Sequence, residues 1–452
     1  MSNLLSKYNV PGPRYTSYPT VPYWDTSDFS EANWKKAVST AFRASKKDDG
    51  ISVYFHLPFC ESLCTYCGCN TRITVNHAVE ATYVGALIRE WDMYLALFDS
   101  PPRISEIHLG GGTPTFFSPR HLAEFIDHIL STSVIAKNAE FSFEAHPGNT
   151  TPQHLQVLYG LGFRRLSLGI QDFDPHVQEL VNRIQSFEQV QEVTNQARKI
   201  GFTSVNYDLI YGLPGQTVAS VLETIRLVNL LRPDRIAFYS YAHIPWLKPS
   251  QRKFTEQDLP VGKAKSDLYE AGRALLMQSG YEEIGMDHFA LKSDSLYQAA
   301  EKHQLHRNFM GYTHRYTPLL IGLGVSAISE TEGGYAQNEK RVEDYYRRIR
   351  GGSLPVFKGH THTPSDKILR THILRIICSM ETSWEEPSLQ CKEVFEALPR
   401  LKEMEADGLV EVSQNQLRVK PAGKPFLRNI CMAFDARLWE KLPLSEIFSK
   451  TV

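Results

Sequence analysis

From Ile51 to about His243 the chain repeats one pattern: a short apolar run, a turn, then a stretch in which Leu, Val and Ile recur every three or four positions. The runs Ser52 to Phe59, Ile104 to Leu109, Glu140 to Glu144, Arg165 to Ile170, Ser204 to Tyr211 and Arg235 to Tyr241 predict strands. Segments between them, such as Ala78 to Phe98, Arg120 to Leu130, Phe187 to Ile200 and Val218 to Leu231, predict amphipathic helices. Strands that alternate with helices are joined by crossovers and lie parallel. Six such units are too few for a closed eight-fold barrel. They predict an α/β fold, an open (β/α)6 partial TIM barrel whose ligands sit at the C-terminal strand ends. Those ends carry Cys60 to Cys69, Gly110 to Thr113, Glu144, Gln171 and Asp172, Asp208, and Tyr241 to His243, so polar and glycine residues converge on one face.

The rest of the chain reads differently. Residues 1–50 form an N-terminal arm rich in Pro and Tyr, expected to reach the substrate site, and 51–245 is the barrel. Over 246–362 the pattern loosens into a barrel extension, with a helix from Gly262 to Gly280 and loops around Gly285 to Ala290 and His306 to Thr313. Residues 363–452 predict a mostly helical module: helices from Lys367 to Met380 and Val394 to Asp407, then a hairpin in GLVEVSQNQLRVK, an order resembling a winged helix. A nucleic-acid role for that module is not expected, because Gln416 to Arg428 holds only four positive charges; a cover over the barrel mouth fits better.

With 49 Lys plus Arg against 50 Asp plus Glu, the chain has no general basic field for a polyanion. Its start lacks the basic and apolar regions of a secretory signal. The longest apolar stretch, Leu319 to Ile328, is about half of the roughly 18 residues a membrane span requires. A cytoplasmic protein without a membrane partner is expected. Four of the seven cysteines fall between Cys60 and Cys69, which suits reduced thiols that hold a metal better than a disulfide framework.

The loop reads C-x3-C-x2-C-x-C. Read bare, two chemistries compete. Zinc takes four ligands, commonly as two separated pairs, and closes its site. Iron–sulfur chemistry suits thiolates in a tight run, and a [4Fe-4S] cluster on three of them leaves one iron open.

C-x3-C-x2-C at the end of the first barrel strand resembles the radical S-adenosylmethionine (SAM) superfamily. The resemblance implies that Cys60, Cys64 and Cys67 hold the cluster, whose open iron chelates SAM and whose electron cleaves it to methionine and a 5′-deoxyadenosyl radical. It sets Tyr66 against SAM and makes Gly110-Gly111-Gly112-Thr113-Pro114 the glycine-rich motif that approaches the ligand. Glu144 and Asp208 are acidic strand ends, able to accept from ribose hydroxyls or an amine, with Arg183 as the cation of a structural salt bridge if they are not ligands.

The arm GPRYTSYPT, together with HLPFCESLCTYCGCN, HLGGGTPT, GIQDF, DLIYGLPGQT, YAHIP, GMDHFA, HRNFMGYT, GVSAIS and RNICMAFD, resembles the oxygen-independent coproporphyrinogen III oxidase family, also called coproporphyrinogen dehydrogenase, from about Tyr8 to Asp435. That resemblance implies oxidative decarboxylation of the ring A and B propionates of coproporphyrinogen III to vinyl groups, giving protoporphyrinogen IX for heme. Two SAM molecules are implied. Tyr54, Gly111 and Glu144 would hold the one on the cluster; Gly112, Thr113, Gln171, Arg183 and Asp208, lined by Ala242 and Ile328, would hold the second. Cys69 is left off the cluster as an auxiliary thiol. A low-potential donor such as flavodoxin or ferredoxin and a monomeric state are expected.

Four propionates require cations and donors, and a tetrapyrrole requires aromatic walls. The arm offers Arg14, Tyr15 and Tyr18, and the late loops His288, His306, Arg307, Asn308 and Tyr312. Glu144-Ala-His146-Pro departs from the family pattern at His146, where an acid or amide is expected. A heme chaperone and a heme-degrading radical SAM methyltransferase are the rival readings, and the GPRYTSYPT arm argues against both.

Overall fold

The computed structural model describes residues 2–27, 29–46, 50–443 and 445–451; residues 1, 28, 47–49, 444 and 452 of the expected arm and C-terminal segments lie outside the described residues. After helix α1 (Glu31–Ser45), six parallel strands follow: β1 (Ile51–Leu57), β2 (Arg103–Gly111), β3 (Val134–Ala145), β4 (Phe163–Gln171), β5 (Ser204–Tyr211) and β6 (Arg235–Ser240). The crossovers contain α2 (Val79–Leu95), α3 (Pro119–Ser131), α4 (Pro152–Gly160), α5 (Phe187–Ile200) and α6 (Val218–Leu231). Thr151, Ser186 and Thr217 open α4, α5 and α6 as capping boxes, each cap stabilising its helix by about 1 kcal/mol.

Within each strand the residues alternate, and the alternation explains the site. Val53, Phe55, Leu57, Ile107, Leu109, Phe143, Leu166 and Leu168 point outward and are buried under the helices. The intervening positions are polar and curl into the lumen: Tyr54, His108 and Ser142 are register neighbours, as are Glu144 and Ser167. At the lower end the lumen is closed by ion pairs, Arg165 to Glu140 at 2.7 Å and Arg235 to Asp294 at 2.5 Å, which keep buried charges paired.

Flanking strands extend the sheet to twelve. On one side β7 (Leu319–Leu323) runs parallel to β1, and Ile328–Thr331, Gly334–Asn338 and Val356–Thr361 follow antiparallel. On the other, His288–Ala290 pairs antiparallel with β6. The apolar Leu319 to Ile328 stretch is thus a buried strand and its turn, and no helix among the described residues is long and apolar enough to cross a membrane.

Helix α7 (Lys263–Gln278) packs on α6 beside the last parallel strands. The C-terminal part contains α8 (Pro364–Ser379), α9 (Lys392–Ala406) and a small sheet of Glu381–Ser383, Val410–Val412 and Gln416–Val419, the expected winged-helix-like arrangement, followed by two short helices, Leu427–Ala433 and Ala436–Glu440. The first fifty residues do not act as one segment. Trp34, Val38 and Phe42 of α1 belong to the barrel core, whereas Tyr8, Tyr15 and Tyr18 are buried in a second core with Ile373, Ile376, Leu401 and Phe426.

Candidate active site

The cysteine loop leaves the end of β1 and is zipped to the glycine loop after β2: the Gly112 N–H donates to Leu57 O at 2.8 Å and the Thr113 N–H to Phe59 O at 3.0 Å. A Cβ on Gly111, whose φ is +112°, would stand 2.7 Å from the His56 ring, and one on Gly112 would stand 2.6 Å from the Pro58 carbonyl. Glycine is required there by this close approach. The far side of the loop is tied by the Thr65 N–H to Val181 O at 2.9 Å, Gln251 Nε2 to Tyr66 O at 3.0 Å and Lys248 Nζ to Cys69 O at 2.8 Å.

Cys60, Cys64 and Cys67 are half-buried on one cavity of about 730 Å³, with Cys69 exposed beside them. The Thr113 hydroxyl donates to Cys60 Sγ at 3.3 Å, and Arg183 Nη1 to Cys64 Sγ at 3.7 Å. Burial pushes the Cys60 thiol up to about 11, while the hydrogen bond from Cys69 holds Cys67 down to about 6. Arg183 Nε is buried without a partner. A soft, all-thiol set with two polar side chains already directed at sulfur, and an orphaned guanidinium N–H beside it, fits an iron–sulfur cluster and a polar ligand next to it.

Across the cavity stand two carboxylates. Burial raises Glu144, but the hydrogen bond from His108 at 3.4 Å and the Gly111 N–H at 3.2 Å outweigh it and hold the carboxyl below its ordinary value. Asp208 goes the other way: burial and the Glu144 charge push it up to about 6 against hydrogen bonds from Ser167 at 2.9 Å and Asn206 at 2.9 Å. Arg183 is not their cation. It is bound to Cys64 and to the Gly169 carbonyl, so the alternative of a structural salt bridge to the two acids does not form. Among the described residues no Lys or Arg pairs with either carboxylate, and the partner of Glu144 is the His108 ring.

Residues 54–228 match the Radical SAM superfamily. Over nearly its whole length the chain is similar to the oxygen-independent coproporphyrinogen III oxidases of Salmonella typhimurium (39% identical, 99% of this chain and 98% of the relative) and Synechocystis (36%, 100% and 98%). The solved structure of coproporphyrinogen III oxidase (HemN) from Escherichia coli, described as a radical SAM enzyme, superposes with a TM-score of 0.88 at 39% identity, covering 94% of this chain and 97% of that one.

The chain belongs to the oxygen-independent coproporphyrinogen III oxidase family. As a radical SAM enzyme of that family it takes a [4Fe-4S] cluster and SAM, for which the thiol set and the two carboxylates are suited.

Most residues expected at the site by family resemblance lie on the cavity: Tyr66, Gly111, Gly112, Thr113, Glu144, Gln171, Arg183, Asp208 and Ala242 join the four cysteines there, and Arg14, His288 and Tyr312 reach it from outside the barrel. Gln171 sits at a register shift in β4 with φ +67°, a left-handed conformation that turns it off the ladder. Tyr54 stands lower in the lumen with its ring stacked on His108. Ile328 is not on the cavity wall; its backbone covers Gly322, the register partner of Tyr54.

Several substrate candidates are placed elsewhere. Tyr15 is 2% exposed and donates to Asp435 Oδ2 at 3.0 Å, so it anchors the arm and leaves Arg14 to face the cavity. Tyr18 is likewise interior, and Asn308 is buried. His306 lines a separate groove against α8, with Arg370 and Cys378. Arg307 is buried with its guanidinium 4.5 Å from the Tyr312 ring. His146, the departure from the family pattern, caps its own turn by accepting the Gly148 N–H at 3.0 Å, and burial with the Arg183 charge pushes it down to about 3, so it is neutral.

The lumen holds polar residues that motif reading passed over: His56, His108, Ser142, Ser167, Asn206 and Tyr239. The signal was present. Each shares the two-residue parity of Tyr54, Glu144 or Asp208 within its own strand, or of a neighbour in register with them.

Proposed function

We propose that the protein carries out the oxidative decarboxylation of the ring A and B propionates of coproporphyrinogen III to vinyl groups, giving protoporphyrinogen IX, carbon dioxide, methionine and 5′-deoxyadenosine. The observation that carries this reading is a three-thiol loop and a pair of acids on one cavity in a chain alike over its full length to named coproporphyrinogen III oxidases. With a cluster on Cys60, Cys64 and Cys67, SAM supplies one-electron chemistry able to take a hydrogen from an unactivated carbon.

The chain's own residues bind, orient and exclude water. Glu144 and the Gly111 backbone are suited to one SAM, with Tyr54 and Tyr66 as aromatic neighbours. Gly112, Thr113, Gln171, Arg183, Asp208 and Ala242 line the space for a second. Arg183, reaching both Cys64 and Gly169, couples the two halves of that space. Cys69, exposed beside Cys67, is an auxiliary thiol, and Arg14 presents the arm's cation to the substrate. A low-potential electron donor such as flavodoxin or ferredoxin, cytoplasmic location and a monomeric state complete the reading.

The test is an anaerobic assay of reconstituted protein with SAM, a reductant and coproporphyrinogen III. Carbon dioxide and vinyl product are expected. SAM cleavage without decarboxylation would overturn the substrate assignment, and stoichiometric heme binding without turnover would favour a heme-carrying role.

A further inference from the structure

At the outer edge of the cavity, residues from three distant parts of the chain bring cations together, Arg14 on the cavity wall and Lys265 and Arg428 next to it behind the carbonyls that line it. Arg14 Nη2 donates to Ser240 O at 2.7 Å, and Lys265 Nζ, from α7, to the next carbonyl, Tyr241 O, at 3.3 Å. Arg428, directly behind Arg14, directs its five N–H donors at backbone carbonyls: Nε at Pro13 O at 3.0 Å, Nη1 at Lys450 O at 2.9 Å and Thr451 O at 3.3 Å, and Nη2 at Gly12 O and at Ser449 O at 3.4 Å. The Lys265 stem lies over Gly212, where a Cβ would stand 3.0 Å from its Cε. Ser240, Tyr241 and Arg14 all line the cavity.

These cations are bound to backbone carbonyls, and among the described residues no ion pair joins Arg14, Lys265, Arg428 or Lys450 to a carboxylate. The acid whose field reaches Arg14 and Arg428 is Asp287, already occupied by His288 Nδ1 at 2.7 Å. Burial and the charges of Arg14, Arg428 and Lys450 push the Lys265 ammonium down to about 7, and burial and Arg14 push Arg428 down to about 9. A chain of net charge −1 has therefore gathered like charges at a half-buried place without neutralising them. Such a cluster is costly alone and favourable once a multivalent anion enters.

We propose that Arg14 and Lys265, with Arg428 fixing the Gly12–Pro13 backbone behind Arg14, form a carboxylate-binding site at the rim of the cavity, and that it holds the two propionates the tetrapyrrole keeps through the reaction. This rests on the proposed decarboxylation and adds which carboxylates are held, and by what. Anchored at the rim, the retained pair would leave the opposite side of the macrocycle directed inward, toward the cysteine loop. The product keeps the same two groups, so the site would hold substrate and product alike.

The test uses the full-length holoprotein and fluorescence titration with two porphyrins, coproporphyrin III with four carboxylates and protoporphyrin IX with two. Lys265→Met is expected to raise Kd for both by a similar factor, about 10-fold or more, and to raise KM for coproporphyrinogen III with little change in kcat. Lys265→Arg is expected to restore tight binding. Weakening of coproporphyrin III alone would mean that the rim holds the reacting propionates, and would overturn the assignment. Unchanged Kd in Lys265→Met, or failure of Lys265→Arg to restore it, would show that the charge touches no carboxylate. A wild-type protein that binds neither porphyrin would instead sink the substrate reading itself.

Discussion

The two ends of the cavity differ in charge. Across the cavity from the cysteine loop stand two carboxylates, Glu144 and Asp208, while the cations beside the loop are committed, Arg183 to a sulfur and a carbonyl and Lys248 to the Cys69 carbonyl. At the rim the charges are cations held by carbonyl oxygens alone. A protein with a near-zero total can still be strongly polar inside. The lesson is that net charge says nothing about a ligand when the ligands are of both signs: SAM carries a sulfonium and an ammonium, and the proposed tetrapyrrole carries four carboxylates. Sorted ends let each ligand find its own place and disfavour the reverse arrangement.

The cysteine end is tested most severely by Cys60→Ser, Cys64→Ser and Cys67→Ser, each expected to lower iron content and product formation to background. Cys69→Ser should keep its iron. Iron and sulfide analysis of anaerobically purified protein checks both, and loss of iron in all four variants would refute the three-ligand assignment.

Glu144→Gln tests the acidic end itself. Losing a charged acceptor of the Gly111 N–H and the His108 ring should weaken SAM binding by about 10- to 100-fold, the usual worth of a charge-assisted hydrogen bond. Equilibrium dialysis with SAM measures it, and unchanged affinity would remove Glu144 from the SAM site.

Asp208 should show a trade. Its carboxyl is pushed up to about 6 from 3.8, so the ligand-free fold is most stable with the group protonated and loses stability as pH rises between those values. Asp208→Asn is then expected to gain roughly 1–3 kcal/mol at pH 8 and almost nothing at pH 4, read as thermal melts at the two pH values. Affinity for a cationic ligand should fall in the wild type as pH drops through about 6, and be weaker and flat with pH in the variant. A destabilised Asp208→Asn would mean that the carboxylate is structural.

The smallest effect belongs to the arm. Tyr15→Phe removes one buried hydrogen bond to Asp435 and should cost about 1 kcal/mol of stability and a few-fold in KM, with SAM cleavage unchanged. An equal loss of SAM cleavage would show that the arm does more than present Arg14.

The barrel was legible because its strands and helices are each written in local periodicity: α5 and α6 fall at the expected residues, and the C-terminal strand ends meet as parallel topology requires. Helix α4 was passed over because nine residues carry too few turns for a clear stripe, although Thr151 and Pro152 mark its start. The cysteine, glycine and acid positions were legible through motifs. The rim was not. Lys265 reads as an ordinary residue of an amphipathic helix, and Arg428 as one of a few scattered charges near the C-terminal hairpin. Their meeting with Arg14 depends on how the two cores pack, which no local pattern records. Tyr15 misled for a related reason: a tyrosine beside a site arginine looks exposed until the partner that buries it, Asp435, is known.

The rim also sets an order of assembly. Arg428 reaches Pro13 across 415 positions, and the Thr451 N–H closes on Val10 O at 2.8 Å. At synthesis rates of roughly 5–20 residues per second, about 10–40 s separate the emergence of the last barrel strand from that of Arg428. Domains generally fold as units from the N-terminal side. The edge that fixes Pro13 behind Arg14 therefore closes last, after the strands that carry the thiols and the carboxylates have been made.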